Sequence, residues 1–199
     1  MLSRFAVTFS SQSGRKPARP RPFLSESALY DHAVKALGRR MRTESELRRL
    51  LAPRAEPSPT GQAAIDSVVR RLKQHGYLND ASYAETYARL RQENEKFGRR
   101  RVQQDLRQKG LPANLVDQTL DARYANTSEE SLARQFLERK RLRKPENDKE
   151  TARIMRRLVA AGFSTGIIYK ILRQWDVPDE SLAALDSLSA ESAEEGGES

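Results

Sequence analysis

An internal repeat constrains the fold of this chain more than any other feature of its sequence. Residues 98–120 align with residues 150–172 after a shift of 52 positions, and apolar residues and a glycine then fall at equivalent places. The apolar residues recur at the spacing of one helix face on either side of the glycine, which predicts a helix, a glycine turn and a second helix. The matched pairs are Val102 with Ile154, Leu106 with Leu158, Gly110 with Gly162, Leu111 with Phe163, Val116 with Ile168, and Leu120 with Leu172.

A third, degenerate copy of the unit precedes the other two. It begins at Leu47 and Leu51, a proline-containing segment replaces the glycine turn, and Ile65 and Val69 resume the pattern. Each copy follows one further helical stretch, so we predict an all-α fold of three tandem three-helix repeats. Because each repeat buries only a thin core, neighbouring repeats should pack together in an elongated curved array. The predicted repeats are 26–78, 79–125 and 126–176, and the predicted helices are 26–40, 44–54, 61–75, 80–96, 99–109, 112–124, 128–143, 148–161 and 165–175.

Polar residues at the predicted helix starts and glycines at the predicted ends support this division. Three pairs have the spacing of a capping box, in which two side chains satisfy the free N–H groups of a first helical turn. They are Thr43 with Glu46, Thr127 with Glu130, and Asn147 with Glu150. A glycine follows three of the helical stretches, where a left-handed residue is expected, at Gly76, Gly110 and Gly162.

Charge is unevenly distributed along the chain. Residues 1–25 carry five basic groups and no acid, whereas residues 176–199 carry eight acids and neither lysine nor arginine. The whole chain has a formal net charge of +9, so residues 26–175 hold about +12. We predict a disordered basic arm at 1–25 and a disordered acidic tail at 177–199. The basic centre predicts an anionic partner, with nucleic acid or a nucleoprotein first.

The sequence offers little support for catalysis or for a bound cofactor. The absence of cysteine excludes disulfides, zinc–thiolate sites and thiol catalysis, and favours a cytoplasmic location. His32 and His75 are the only histidines, and no nucleotide-binding or nucleophile motif is present. No apolar run reaches the roughly 20 residues of a membrane helix. We therefore predict a monomeric protein that is not an enzyme, with no catalytic residue, metal, cofactor or membrane contact.

Basic residues opposite the apolar stripes are the candidate binding groups. Arg100 and Arg107, for example, point away from Val102 and Leu106 at about 100° per residue. Repeated cationic faces would follow a repeating anionic surface, and the alternative is an ordinary solvated helix face. Most aromatic residues, Tyr77 among them, fall on apolar stripes and are predicted to pack in the core rather than to stack on bases. The candidates are Arg48, Arg49, Arg99, Arg100, Arg101, Arg107, Lys109, Arg139, Lys140, Arg156 and Arg157.

Two segments of the middle repeat resemble the motifs of a known family. The run at 75–84, HGYLNDASYA, has a glycine, an aromatic–aliphatic pair, a short cap and an aromatic followed by alanine. The run at 98–110, GRRRVQQDLRQKG, is similar to that family's second motif. With weaker similarity at 42–49 and 162–164, the stretch 27–175 resembles the RecX regulators. The motif residues are Gly76, Tyr77, Leu78, Asp80, Tyr83, Ala84, Gly98, Leu106 and Gly110.

This resemblance implies three tandem three-helix repeats and a function in recombination. RecX proteins are known as modulators, usually inhibitors, of the ATPase, strand-exchange and co-protease activities of RecA. The resemblance therefore implies binding in the groove of the RecA filament on single-stranded DNA, and we also expect weak direct binding to DNA. It implies no catalytic residue. The alternative is a sequence-specific helix-turn-helix DNA-binding regulator, because three-helix units resemble such domains.

Overall fold

The computed structural model describes residues 22–178, and every regular element in that range is helical. The predicted all-α fold is confirmed, whereas the predicted disordered arm and tail lie almost entirely outside the described residues. None of the described helices is long and apolar enough to cross a membrane. The α-helices of residues 22–178 are α1 (Glu26–Leu37), α2 (Glu44–Leu51), α3 (Pro59–Gln74), α4 (Asp80–Glu93), α5 (Arg99–Gln108), α6 (Ala113–Tyr124), α7 (Glu129–Arg139), α8 (Asp148–Ala160) and α9 (Thr165–Gln174), with a 3₁₀ turn at Ala52–Arg54.

Side-chain caps fix where several of these helices begin. The Thr43 hydroxyl accepts a hydrogen bond from the N–H of Glu46, whose carboxylate accepts one from the N–H of Thr43, and the predicted capping box of α2 is confirmed. The predicted cap of α7 is wrong by one residue, because Ser128 takes that place. The Thr127 hydroxyl instead accepts a hydrogen bond from the buried amide of Gln92.

Several helices end earlier than their sequence pattern predicts, as α1 does at Leu37 rather than at 40. α4 ends at Glu93 rather than at 96, and α7 ends at Arg139 rather than at 143. Lys96 and Arg141 follow these ends in the left-handed backbone conformation, with φ of 59° and 53°. Because glycine is the usual residue at such positions, the sequence did not indicate these two ends.

Three clusters of buried apolar side chains lie along the chain. The first is formed by α1 to α3, the second by α4 to α6 and the third by α7 to α9. Every apolar position matched by the repeat is buried, so the repeat marks the core face of each helix. Phe97 and Tyr124 pack against both the second and the third clusters, and the Tyr124 hydroxyl donates to the Phe97 carbonyl over 2.9 Å. Burial raises the pKa of Tyr124, so this hydroxyl keeps its proton.

The middle helices of the three clusters, α2, α5 and α8, are connected by hydrogen bonds between helix ends. We call each of these two connections a joint. At the first joint, the Thr43 hydroxyl before α2 donates to the carbonyl of Lys109 after α5 over 2.7 Å, and Lys109 Nζ lies 3.1 Å from Glu46 Oε1. At the second joint, the N–H of Gly98 before α5 donates to the carbonyl of Ala161 after α8 over 2.8 Å. The helices α8, α5 and α2 therefore meet end to end, with the N-terminus of one against the C-terminus of the other.

Gly110 and Gly162 allow these two joints to close. Both have a left-handed backbone, with φ of +80° and +87°. A Cβ atom at Gly110 would overlap the side chain of Ser45 in α2, and one at Gly162 would overlap the backbone of Arg101 in α5. Only glycine satisfies both the backbone conformation and the close approach.

We expect Gly162→Ala to lower the free energy of unfolding by more than about 2 kcal/mol, because the overlap with Arg101 adds to left-handed strain of about 1–2 kcal/mol. Gly76→Ala is the matched control, since Gly76 has a φ of +73° and no atom within 4 Å of the added Cβ. Only the backbone strain should appear in that variant. Denaturant unfolding of the three proteins measures the difference. Equal losses at the two positions would contradict the role assigned to the Gly162 joint.

Candidate functional site

The outer face of α5 carries side chains able to bind an anion. Val102 and Leu106 are fully buried in the second core, so the opposite face of the helix is turned to solvent. Guanidinium and amide groups along that face line a shallow depression of about 430 Å³. We call these residues the α5 outer surface: Arg100, Gln103, Gln104, Arg107 and Gln108.

Both arginines of the α5 outer surface are available to an external group. Arg100 is exposed and forms no ion pair with any residue from 22 to 178. Arg107 Nη2 lies 3.6 Å from the carboxylate of Asp117, which already accepts a hydrogen bond from the Gln103 amide over 2.6 Å. The arginine pair is thus longer than a hydrogen bond, and 53% of the Arg107 side chain is exposed. Such groups suit phosphate or carboxylate oxygens.

The equivalent helices α2 and α8 also carry exposed arginines. Arg49 donates to the carbonyl and hydroxyl oxygens of Ser45 and pairs with no described carboxylate. Arg156 and Arg157 are exposed and likewise form no ion pair within the described part of the chain. The exposed arginines thus lie on three helices that the two joints connect in succession. We call them the basic track: Arg49, Arg100, Arg107, Arg156 and Arg157.

Two other predicted arginines contact neighbouring helices. Arg48 bridges the carboxylates of Glu44 in its own helix and Asp66 in α3. Hydrogen bonds to Asp66 and Glu44 raise the pKa of the Arg48 guanidinium. Arg99 Nη2 lies 2.6 Å from Asp121 in α6. Each of these groups links two helices of one repeat, and the prediction that they bind a partner stays a prediction.

The remaining predicted candidates form partly exposed ion pairs. Arg101 Nε lies 3.1 Å from Asp105 Oδ1, within α5. Arg139 and Lys140 share the carboxylate of Glu95, at 3.4 and 3.7 Å. Exposed pairs of this kind contribute at most about 1 kcal/mol, so their cations can exchange partners at little cost.

The sequence candidates in α8 did not include one exposed cation of that helix, Arg153. Arg153 in α8 is exposed and forms no ion pair with a described residue. It lies about one turn before Arg156 and Arg157. The signal was present, because the shift of 52 positions aligns Arg153 with Arg101, which was a candidate.

Lys109 is turned inward at the first joint. Its ammonium group contacts Glu46 and lies 5.7 and 5.4 Å from the ring centroids of Tyr83 and Tyr87. Burial opposes the charge, but hydrogen bonds with Tyr83 and Glu46 outweigh it and raise the pKa of Lys109. The geometry gives this lysine a packing role, and its predicted contact with a partner stays a prediction.

Most of the motif residues are packing residues. The Asp80 carboxylate accepts a hydrogen bond from the Glu44 N–H over 2.9 Å, so the start of α4 is bonded to the start of α2. Gly76 and Gly110 have left-handed turns. Tyr77 is different: 55% of it is exposed, and the prediction that it packs in the core is wrong. The buried motif residues are Leu78, Tyr83, Ala84, Gly98 and Leu106.

Comparison with known proteins identifies relatives along most of the chain. Residues 79–120 match the family model for RecX, second three-helix domain. A regulatory protein RecX from Leptothrix cholodnii is 35% identical over 159 residues, or 80% of this chain and 94% of that protein. One from Mycolicibacterium vanbaalenii is 32% identical over 178 residues, or 82% and 94%. The crystal structure of RecX from Lactobacillus salivarius shares the fold, with a TM-score of 0.57 and 22% identity over 76% of this chain and 96% of that chain.

The first joint should make stability depend on pH through Glu46. Burial opposes its ionisation, but hydrogen bonds from Lys109 and the Thr43 N–H outweigh burial and lower the pKa of Glu46 below 4.5. A lowered folded pKa contributes stability that is present above pH 4.5 and is lost as the pH falls through the folded value.

We therefore expect Glu46→Gln to lower the free energy of unfolding at about pH 7 by up to about 1 kcal/mol, and by less at about pH 3. Urea unfolding at both pH values measures this. The control is Glu85→Gln, because Glu85 is exposed and forms no ion pair with a described residue. An identical pH response of the two variants would contradict the joint's contribution.

Proposed function

The chain belongs to the RecX family of regulatory proteins, and from that membership we propose that it regulates RecA by binding in the groove of RecA filaments on single-stranded DNA. It binds as a cytoplasmic monomer and catalyses no reaction. Binding limits filament growth and so lowers the ATPase, strand-exchange and co-protease activities of RecA. The protein thereby acts in DNA recombination, DNA repair and the SOS response.

The basic track is the observation that supports this proposal. Laid end to end, α2, α5 and α8 would extend about 45 Å at 1.5 Å per residue. Exposed arginines on three joined helices of that combined length suit a polymer whose surface repeats along its axis. Each contact is modest, but the joints hold the three helices together, so the second and third contacts gain from a high effective concentration.

The middle helix is the anchor of this contact. The α5 outer surface combines two available guanidinium groups with three amides, and joints at both ends of α5 hold its position. The other predicted cations stabilise the helices around α5, and they extend the contact with the filament where their ion pairs open. They are Arg48, Arg99, Arg101, Lys109, Arg139 and Lys140.

Titration into RecA on single-stranded DNA tests the proposed function through the rate of ATP hydrolysis. We expect inhibition. If it occurs well below one copy per RecA subunit, the protein caps filament ends or blocks growth, whereas inhibition only near saturation indicates coating of the groove. Unchanged hydrolysis with folded protein and active RecA would contradict the proposal.

The double variant Arg100→Glu, Arg107→Glu should weaken filament binding by roughly tenfold or more, because both side chains face outward and like charges repel across an interface. Circular dichroism should remain unchanged. The matched control is Lys35→Glu, Arg39→Glu, which makes the same charge change at two exposed residues of the first repeat. Equal losses in the two variants would assign the effect to net charge and remove α5 as the anchor.

Competition with duplex DNA separates this function from a sequence-specific regulator. A regulator should prefer one site over random duplex by about 10³-fold or more. A filament binder should show little sequence preference and should require RecA for tight binding. Weak, salt-sensitive binding to bare DNA fits both functions, so the comparison must be made at one salt concentration.

A further inference from the structure

Tyr77 is exposed although its neighbours in sequence are structurally fixed. The turn after α3 is closed by hydrogen bonds from the Tyr77 and Leu78 N–H groups to the Leu72 carbonyl, at 3.0 and 3.3 Å. Gly76 supplies the left-handed residue, and Leu78 is buried in the first core. The turn is therefore anchored on both sides, and it holds an aromatic ring in solvent, which costs hydrophobic free energy unless a ligand covers the ring.

The ring belongs to a connected group of aromatic and basic side chains. Its centroid lies 6.4 Å from that of His75, whose centroid lies 6.2 Å from that of Tyr30. The Tyr30 hydroxyl and His75 Nδ1 are 2.9 Å apart, and the Arg71 guanidinium lies over the Tyr30 ring at 4.1 Å. Both neighbouring ring pairs meet at steep angles, so no described ring stacks in parallel on Tyr77.

Cations outnumber acids in the sequence around this group. Residues 67–79 contain Arg70, Arg71 and Lys73 but no acid, and Asp66 and Asp80 flank the segment. Lys73 pairs with the carboxylate of Glu44, so Arg70 and Arg71 are the cations of this segment that remain for a ligand. Arg70 is exposed and forms no ion pair with a residue of the described chain. Arg71 stacks on Tyr30, and a stacked guanidinium keeps its N–H donors in its own plane, where they can reach a phosphate.

We propose that Tyr77, His75, Arg70 and Arg71 form a binding platform for single-stranded nucleic acid, with an unpaired base stacked on Tyr77 and the flanking phosphates on the two arginines. An aromatic face beside cations is the pairing that unpaired bases and their phosphates require, and every base offers a face to stack. Duplex DNA keeps its bases stacked on one another and cannot use the ring. The platform goes beyond the proposed function, because it assigns the binding of unpaired bases to a named site apart from the basic track.

Fluorescence anisotropy with a labelled oligothymidylate, the full chain and no RecA tests the platform. Tyr77→Ala should weaken binding about 5- to 100-fold, which is the usual contribution of one stacked base. Tyr77→Trp should retain the wild-type affinity, because it keeps an aromatic face. Met41→Ala is the control, since Met41 is similarly exposed, at 50%, and lies in the same repeat without an aromatic ring.

Two further probes separate stacking from charge. An abasic strand with the same number of phosphates should bind wild type and Tyr77→Ala equally. Arg70→Gln should lower the slope of log K against log salt by about 0.7, whereas Tyr77→Ala should leave the slope unchanged. The proposal fails if Tyr77→Ala binds the strand like wild type, or weakens abasic and normal strands alike.

A different partner would give a different pattern. If Tyr77→Ala lowers affinity for the RecA filament but not for the bare strand, the ring contacts protein and the platform is contradicted. Loss of bare-strand binding with intact inhibition of RecA would support the platform and leave the proposed function standing. Circular dichroism of Tyr77→Ala checks that the variant remains folded.

Discussion

The arrangement of the helices depends on two glycines at which the chain turns left-handed under a neighbouring helix. At Gly110 the position of a Cβ is occupied by the side chain of Ser45, and at Gly162 it is occupied by the backbone of Arg101. Hydrogen bonds to the carbonyls of Lys109 and Ala161 then pair backbone groups that helix ends otherwise leave free. Each thin core is thereby connected to the next through helix ends, and Phe97 and Tyr124 add apolar contacts between the second and third cores.

This mode of connection decides which cations are available to a partner. The half-buried Lys109 is used within the protein, because it helps to join the ends of α5 and α2. Linking helices inside a repeat uses Arg48 and Arg99. The outward side of α2, α5 and α8 stays exposed, and Arg49, Gln104 and Arg156 occupy equivalent repeat positions there. Pairing within the fold thus removes some basic residues from contact with a partner, whereas the joined helices keep exposed arginines on this side.

Sequence reasoning predicted the parts of this structure that depend on local pattern. The paired apolar positions and the glycine turns gave the all-α fold, and Thr43 gave the start of α2. It failed where a distant residue decided the outcome. Thr127 does not cap α7, and its hydroxyl accepts a hydrogen bond from Gln92 instead. Asp66, which pairs with Arg48, and Glu46, which pairs with Lys109, come from other helices. No local pattern contains such pairings. The sequence could therefore predict that a basic residue lies on an outward face, but not whether it forms an ion pair within the protein.

Tyr77 is a second residue whose environment the local sequence pattern did not predict. An aromatic residue beside the apolar Leu78 was predicted to pack in the core, but in the turn that Gly76 forms Leu78 is buried and Tyr77 is exposed. Leu78 joins the first core, whereas the ring of Tyr77 remains accessible to a ligand. Residues at packing positions are restricted by their close contacts, whereas residues at outward positions are not. The side chains that can bind a partner are therefore mostly those that do not stabilise the fold.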